Sequence, residues 1–250
     1  MKKAILLILL QLLLAKYSFA QENYEKIKIN DDLEVIKISD NVYVHISYAT
    51  LPKWGRMPAN GVIYINSGEA VLLDTPWNDD LTKALTDWIT ASLKVKIAAI
   101  VPNHWHEDCM GGLSYLHSIG IKSYANELTA KIAKEKGLPV PQNIFSSSIS
   151  INVGKEQIIC SYFGAAHTLD NIVVWIPKEK ILFAGCMAKE MTSENLGNTV
   201  DGDLKEYPGT IKKVLEKYYD AKIVIPGHGK FGGIELLKHT LELALKNNQN

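Results

Sequence analysis

Along the chain, short β-branched apolar runs alternate with longer stretches in which apolar residues recur at helical spacing. The runs NVYVHIS (41–47), NGVIYIN (60–66), AVLLDT (70–75), IAAIVP (97–102), SSSISIN (146–152), QIICSYF (157–163), NIVVWIP (171–177), ILFAG (181–185) and KIVIPG (222–227) predict strands. Helical spacing predicts helices over Asp79–Leu93, Gly112–Ser118, Asn126–Lys136, Tyr207–Tyr219 and from Ile234 onward. No low-complexity stretch and no Pro/Gly/Ser linker interrupts this pattern, so residues 21–250 read as one continuous α/β domain. Strands crowd the early part and each half ends in helices, an order that suits two sheets face to face with helices outside.

The N-terminus breaks the pattern. In MKKAILLILLQLLLAKYSFAQEN two lysines precede an apolar run from Ala4 to Ala15 and then Ser18-Phe19-Ala20, the layout of a secretory signal peptide over residues 1–20. The apolar run is short for a membrane anchor, and no lipobox cysteine is present. Cleavage after Ala20 removes three lysines and leaves 24 basic against 27 acidic residues, a mildly acidic exported chain expected in the periplasm. With 47% hydrophobic and 22% charged residues the composition is that of an ordinary globular protein, and no basic patch suits nucleic acid. A small-molecule partner and a monomer are expected. An exported chain meets oxidising conditions, yet Cys109, Cys160 and Cys186 are too few for a disulfide scaffold. Cys160, in the apolar run EQIICSYFG, reads as a small buried hydrophobe.

Ligand chemistry is concentrated in NHWHEDCMGG, Asn103–Gly112. Pro102 ends the preceding strand, and His104, His106 and Asp108 then recur at every second position, so an extended backbone offers three ligands to one side. Gly111 and Gly112 let the chain turn into the next helix. Imidazole and carboxylate at this spacing suit zinc. Further candidates follow strands downstream: His167 in YFGAAHTLDN, Cys186 after ILFAG, and His228 in VIPGHG. The segments AAIVPNH and KIVIPGH echo each other, each ending a buried strand with Pro-x-His.

These motifs together resemble the metallo-β-lactamase superfamily, and within it the dizinc, cysteine-ligand class B subclass, with the enzymes of Bacteroides and related bacteria nearest in look. NHWHEDCMGGLSYL, AAHTLDNIVVW, ILFAGCMAKE, ENLGN and VIPGHG follow that subclass's order and spacing over essentially the whole mature chain. The resemblance implies a four-layer αββα sandwich with two zinc ions per chain at one edge: His104, His106 and His167 around the first, Asp108, Cys186 and His228 around the second. It also implies β-lactam substrates, carbapenems included, and hence antibiotic resistance. Many thioesterase-like and nuclease-like relatives carry a histidine ligand where Cys109 stands and an aspartate where Cys186 stands, so this sequence departs from them toward β-lactam hydrolysis.

On that reading the three-histidine zinc supplies hydroxide as nucleophile near neutral pH, the second zinc stabilises the departing nitrogen, and Asp108 orients the attacking water. Lys189, three residues after Cys186, is expected to pair with the β-lactam carboxylate, against the plainer reading of a solvated lysine. Asn198 in NLGN is expected near the lactam carbonyl as an oxyanion donor. Trp54, in the loop LPKWGRMPANG, is expected on a flap over substrate, the alternative being a ring tucked into the core edge. Asp74 in VLLDTP is expected to orient a ligand from behind. His45, His117 and His239 read as structural, Glu107 as solvent-facing, and Cys109 as a floor residue outside both zinc sites. The alternatives are Cys109 as the thiolate ligand, or a Cys109–Cys186 disulfide. A lactonase or thioesterase-like hydrolase and a zinc-storage protein are the competing functions.

Overall fold

The computed structural model describes residues 24–247, so the expected leader at residues 1–20 lies outside the described residues. Strand alternation builds the layers. In β4 (Gly55–Asn66), Val62 and Tyr64 join one apolar cluster while Ile63 joins another on the opposite face; in β12 (Ile181–Gly185), Phe183 joins the first cluster while Leu182 and Ala184 join a third. Successive side chains of a strand point to opposite faces, so each sheet is apolar on both sides and is covered on both. The shared cluster lies between the sheets. The other two lie beneath helices, which gives four layers, αββα.

The larger sheet holds eight strands in chain order: β1 (Lys26–Asn30), β2 (Leu33–Lys37), β3 (Val42–Leu51), β4, β5 (Glu69–Leu73), β6 (Lys96–Val101), β7 (Lys122–Asn126) and β8 (Asn143–Phe145). The second sheet runs β13-β12-β11-β10-β9, from β9 (Ser148–Val153), β10 (Glu156–Ser161), β11 (Val173–Ile176), β12 and β13 (Ile223–Pro226). Hairpins make the early pairings antiparallel. Where a helix intervenes the pairing turns parallel, as in β5–β6 and β12–β13.

The helices are α1 (Asp79–Trp88), α2 (Glu107–Met110), α3 (Leu113–Ser118), α4 (Glu127–Lys136), α5 (Tyr207–Lys217) and α6 (Glu235–Asn247). Asn78 and Asn126 cap α1 and α4 by accepting the Leu81 and Leu128 amides, each at 2.9 Å, and Gly137 at φ 68° ends α4. Among the described residues no helix is long and apolar enough to cross a membrane.

All nine expected strands occur, within a few residues at their ends. β1, β2, β7 and β8 were not expected. KIKIN and KSYAN carry too many polar residues to read as buried strands, and β8 has only three residues. The helix expected over Asp79–Leu93 is α-helical only to Trp88; Ile89–Leu93 forms a wider π turn that closes through Lys94, at φ 56°, onto the Ile89 carbonyl.

Candidate metal centre

Four turns meet at one edge of the sandwich, each following a strand. His104, His106 and Asp108 follow β6, His167 lies between β10 and β11, Cys186 follows β12, and His228 follows β13. The local geometry of the first turn differs from the extended chain expected. The backbone bends over 103–106 and becomes helical at Glu107, with the Met110 amide donating to the His106 carbonyl at 2.9 Å. Asp108 therefore projects from a helical turn. The reason lies in the two glycines, which serve close approach more than turning: a Cβ at Gly111 would fall 2.0 Å from the Trp77 carbonyl oxygen, and one at Gly112 1.8 Å from Thr82 Oγ1. That contact draws the chain against α1.

His104, His106 and His167 stand edge to face, with ring centroids 4.6, 4.9 and 5.3 Å apart. Hydrogen bonds turn the rings. His106 Nε2 donates to Asp201 Oδ2 at 3.0 Å, which leaves Nδ1 with its lone pair; His228 Nδ1 donates to the Pro58 carbonyl at 2.6 Å, which leaves Nε2 facing Asp108 Oδ2 at 3.1 Å. His104 Nδ1 meets Asn103 Oδ1 at 3.3 Å and Cys109 Sγ at 3.2 Å. His104 Nε2 and His167 Nδ1 are buried without a hydrogen-bond partner. Orphaned buried nitrogens are costly, and a cation would satisfy those turned inward.

The ligand atoms form three overlapping groups, His104/His106/Asp108, His104/His167/Cys186 and Asp108/Cys186/His228, each with its atoms within 4.8 Å of one another. Burial holds the His104 imidazole down to about 3 and drives His167 well below its usual value, so both rings are neutral and able to bind a metal. Burial alone would raise Asp108, but the hydrogen bond from His228, together with its charge, leads the opposing effects, which outweigh burial and keep the carboxylate ionised. Burial opposes protonation of His228 most, yet the Cys186 charge and the Asp108 hydrogen bond together raise it well above its usual value, so a metal bound there would displace a proton. Cys186 is lowered to about 6, first by the Cys109 thiol beside it and then by His228, against burial; Cys109 is pushed up, first by burial. Thus Cys186 has thiolate character and Cys109 stays a thiol.

Behind the ligands, Cys109 Sγ donates to Asp74 Oδ2 at 3.1 Å, while Asp74 Oδ1 accepts the Asn103 amide. Asp74 reaches His104 through these two neighbours. Its own backbone sits at φ 61°, with the carbonyl held by buried His45 Nε2 at 3.2 Å. His117 pairs with Ser123 Oγ at 2.8 Å on the far side of the sheet edge, and His239 donates to the Ser193 carbonyl at 2.8 Å. Cys160 is fully buried between the sheets, and all three cysteines are free, so no Cys109–Cys186 disulfide is present.

A cleft of about 580 Å³ opens over the cluster, walled by Trp54, Trp77, Trp105, Lys189, Asn198 and Asp201 among others. Trp54 is 53% exposed at the tip of the β3–β4 hairpin, outside the core edge. Lys189 Nζ donates to the Cys186 carbonyl at 2.8 Å, and burial lowers its pKa. Asn198 is exposed on the opposite lip, its Oδ1 accepting the Val200 amide at 3.4 Å. Glu107 is exposed at the cleft wall. Sequence reasoning missed Asp201 and Asn60. Asn60 Nδ2 donates to the Pro226 and Gly229 carbonyls at 2.9 and 2.8 Å and so fixes the His228 turn. Neither residue lies in a motif that signals its partner.

Layers and cluster together define the class, a metal-dependent enzyme whose ligands rise from turns at one edge of an αββα sandwich. No family model matches the chain. It is 45% identical over 236 residues to a type 2 metallo-β-lactamase of Bacteroides fragilis, covering 94% of each chain. Among solved structures, VMB-1 superposes with a TM-score of 0.84 at 43% identity, covering 88% of this chain and 99% of that one. A metallo-β-lactamase from Pontibacter korlensis superposes at 0.82 with 40% identity, covering 85% and 99%. The chain belongs to the type 2 metallo-β-lactamase family.

Proposed function

We propose that this protein hydrolyses the amide of the β-lactam ring in penicillins, cephalosporins and carbapenems with two zinc ions, held by His104, His106 and His167 and by Asp108, Cys186 and His228. The reading is carried by one juxtaposition: a buried cysteine, Cys186, grouped with Asp108 and His228, and an ammonium, Lys189, bonded to the Cys186 carbonyl at 2.8 Å in the wall of the cleft above. A thioesterase or lactonase has no need of that pair, and zinc storage has no need of a cleft.

When bound, zinc would supply the Lewis acidity that activates water near neutral pH and stabilises negative charge on the departing nitrogen. The protein residues do the rest. An ammonium has three donors, and Lys189 uses one on the Cys186 carbonyl, which leaves two N–H groups for the substrate carboxylate. Asp108, ionised and aimed into the cluster, accepts a hydrogen bond from the attacking water and orients it. The water oxygen then bonds to the lactam carbonyl carbon, the C–N bond breaks, and the nitrogen takes up a proton. Asn198 uses Oδ1 on its own loop, so its Nδ2 is free to donate to the lactam carbonyl oxygen. Trp54 closes over the bound ring system and excludes water.

Export through a leader cleaved after Ala20, a periplasmic monomer, and a role in antibiotic resistance complete the reading; N-terminal sequencing of the secreted form tests the cleavage site. The decisive experiment is turnover of a chromogenic cephalosporin by purified protein, with metal content measured in parallel. Hydrolysis should be abolished by a chelator and restored by zinc. No turnover with two zinc ions bound would overturn the proposal.

A further inference from the structure

The loop that carries the cleft's Lys189 and Asn198 is mounted on the last helix of the protein. Thr240 Oγ1, fully buried on α6, accepts the backbone amide of Lys189 at 2.8 Å while donating to the Leu236 carbonyl at 2.7 Å. The adjacent His239 donates from Nε2 to the Ser193 carbonyl at 2.8 Å. Leu196, 2% exposed, packs into the same apolar cluster as Leu236 and Leu237. On the other side, Glu190 Oε2 accepts the Lys230 amide at 3.0 Å, which ties the loop to the turn that bears His228. Beyond these points the loop is exposed: Glu194, Asn195, Gly197 and Asn198 all face solvent, and their own hydrogen bonds stay within two residues.

We propose that His239 and Thr240 are positioning residues for substrate binding, with α6 setting where Lys189 and Asn198 stand in the cleft. The inference rests on the β-lactamase reading for the identity of the substrate. The physical reason is that a loop with few internal hydrogen bonds has many conformations of similar energy, and two bonds from a rigid helix remove most of them. His239 supplies the longer reach. Its ring spans from the helix to a carbonyl four residues beyond Lys189, so it fixes the middle of the loop, while Thr240 fixes the start. Neither residue lies among the metal ligands, so their loss leaves the zinc centre intact.

Replacing His239 by Ala should raise KM for carboxylate-bearing β-lactams about 3- to 10-fold, the effect of one lost hydrogen bond, with kcat reduced less and zinc content unchanged. His239→Gln keeps an N–H donor at nearly the same reach and should restore most of the KM; His239→Asn is too short and should not. Amide hydrogen exchange read on zinc-loaded protein without substrate supplies a measure independent of activity. His239→Ala should lose protection at the hydrogen-bonded loop amides of Lys189 and Ser193 while α6 and the strands keep theirs. Unchanged exchange in the loop and unchanged KM would overturn the proposal. A rise in KM that His239→Gln fails to reverse would also overturn it, by making the ring's bulk rather than its hydrogen bond the cause. If the protein hydrolyses no β-lactam, the exchange result still decides whether α6 holds the loop, so the two readings fail separately.

Discussion

The floor of the cleft and its rim are built by opposite means. On the floor, His104, Asp108, Cys109 and Cys186 are buried, and each side chain has a named neighbour: Asn103 and Cys109 on His104, His228 on Asp108, Asp74 on Cys109, and Asp108, 3.5 Å away, on Cys186. The rim has few such ties. Trp54 is 53% exposed on a hairpin tip with Lys53 Nζ 5.1 Å from its ring centroid, and Asn198 is exposed on a loop whose ties to α6, at Lys189, Ser193 and Leu196, stop short of it. A metal tolerates little error in ligand position, and burying a thiolate and a carboxylate is affordable only with a cation between them. Substrate recognition asks for less precision, and an exposed apolar edge can meet ring systems of different shape. Floor residues should therefore fail through metal content, and rim residues through KM.

Four substitutions test that division, in descending order of effect. Cys186→Ser removes the thiolate and should cost more activity than the roughly 100-fold typical of removing a ligand's outer partner, with one zinc lost by metal analysis. Two zincs retained with near-normal turnover would remove Cys186 from the floor. Lys189→Ala deletes a charge-assisted hydrogen bond of about 1.5–3 kcal/mol, which should appear as a 10- to 100-fold rise in KM for substrates bearing a carboxylate. An unchanged KM would assign the anchor elsewhere. Trp54→Ala should raise KM by a few-fold and unequally among penicillins, cephalosporins and carbapenems, as suits an aromatic contact of about 1 kcal/mol. An equal, large loss of kcat for every substrate would give the hairpin tip a folding role instead. Cys109→Ser is the sharpest of the four although its effect is smallest. Serine can still donate to Asp74, so two zincs and a rate within about 2-fold of the parent should remain, below the range for a lost outer partner. Should this variant lose metal, the division between the two cysteines is reversed.

The two regions also differed in how far the sequence disclosed them. His104, His106 and Asp108 lie within five residues at the end of one strand, so their closeness is local and visible once β6 is recognised from IAAIV, but a helical turn from Glu107, not extended chain, aims Asp108. His167, Cys186 and His228 each follow a strand of the second sheet's pattern, and the family resemblance joined them into a ligand set. Trp54 was legible as a loop tryptophan, but its exposure was decided by a hairpin whose strands pair from Val42↔Tyr64 out to Leu51↔Gly55 and carry the tip clear of the core.

By itself, the sequence determined the strand and helix pattern of most of the chain, because alternation and helical spacing are written in consecutive residues. It also determined which residue types could hold a metal. Only the tertiary structure decided which ring nitrogen of His106 and of His228 turns into the cluster. His106 is turned by Asp201, 95 residues away, and His228 by the Pro58 carbonyl, 170 residues away. Nor did the sequence disclose that Asn60 ties the Pro226–Gly229 turn, or that His239, which reads as an ordinary helix histidine, holds the loop of Lys189 and Asn198. A polar side chain on a loop or helix end carries no periodic signal, and its partner is set by which turns the two sheets bring to the same edge. The hydrogen bonds that orient the centre are therefore properties of the packed layers, and they exist only once both halves of the sandwich have closed on their shared core.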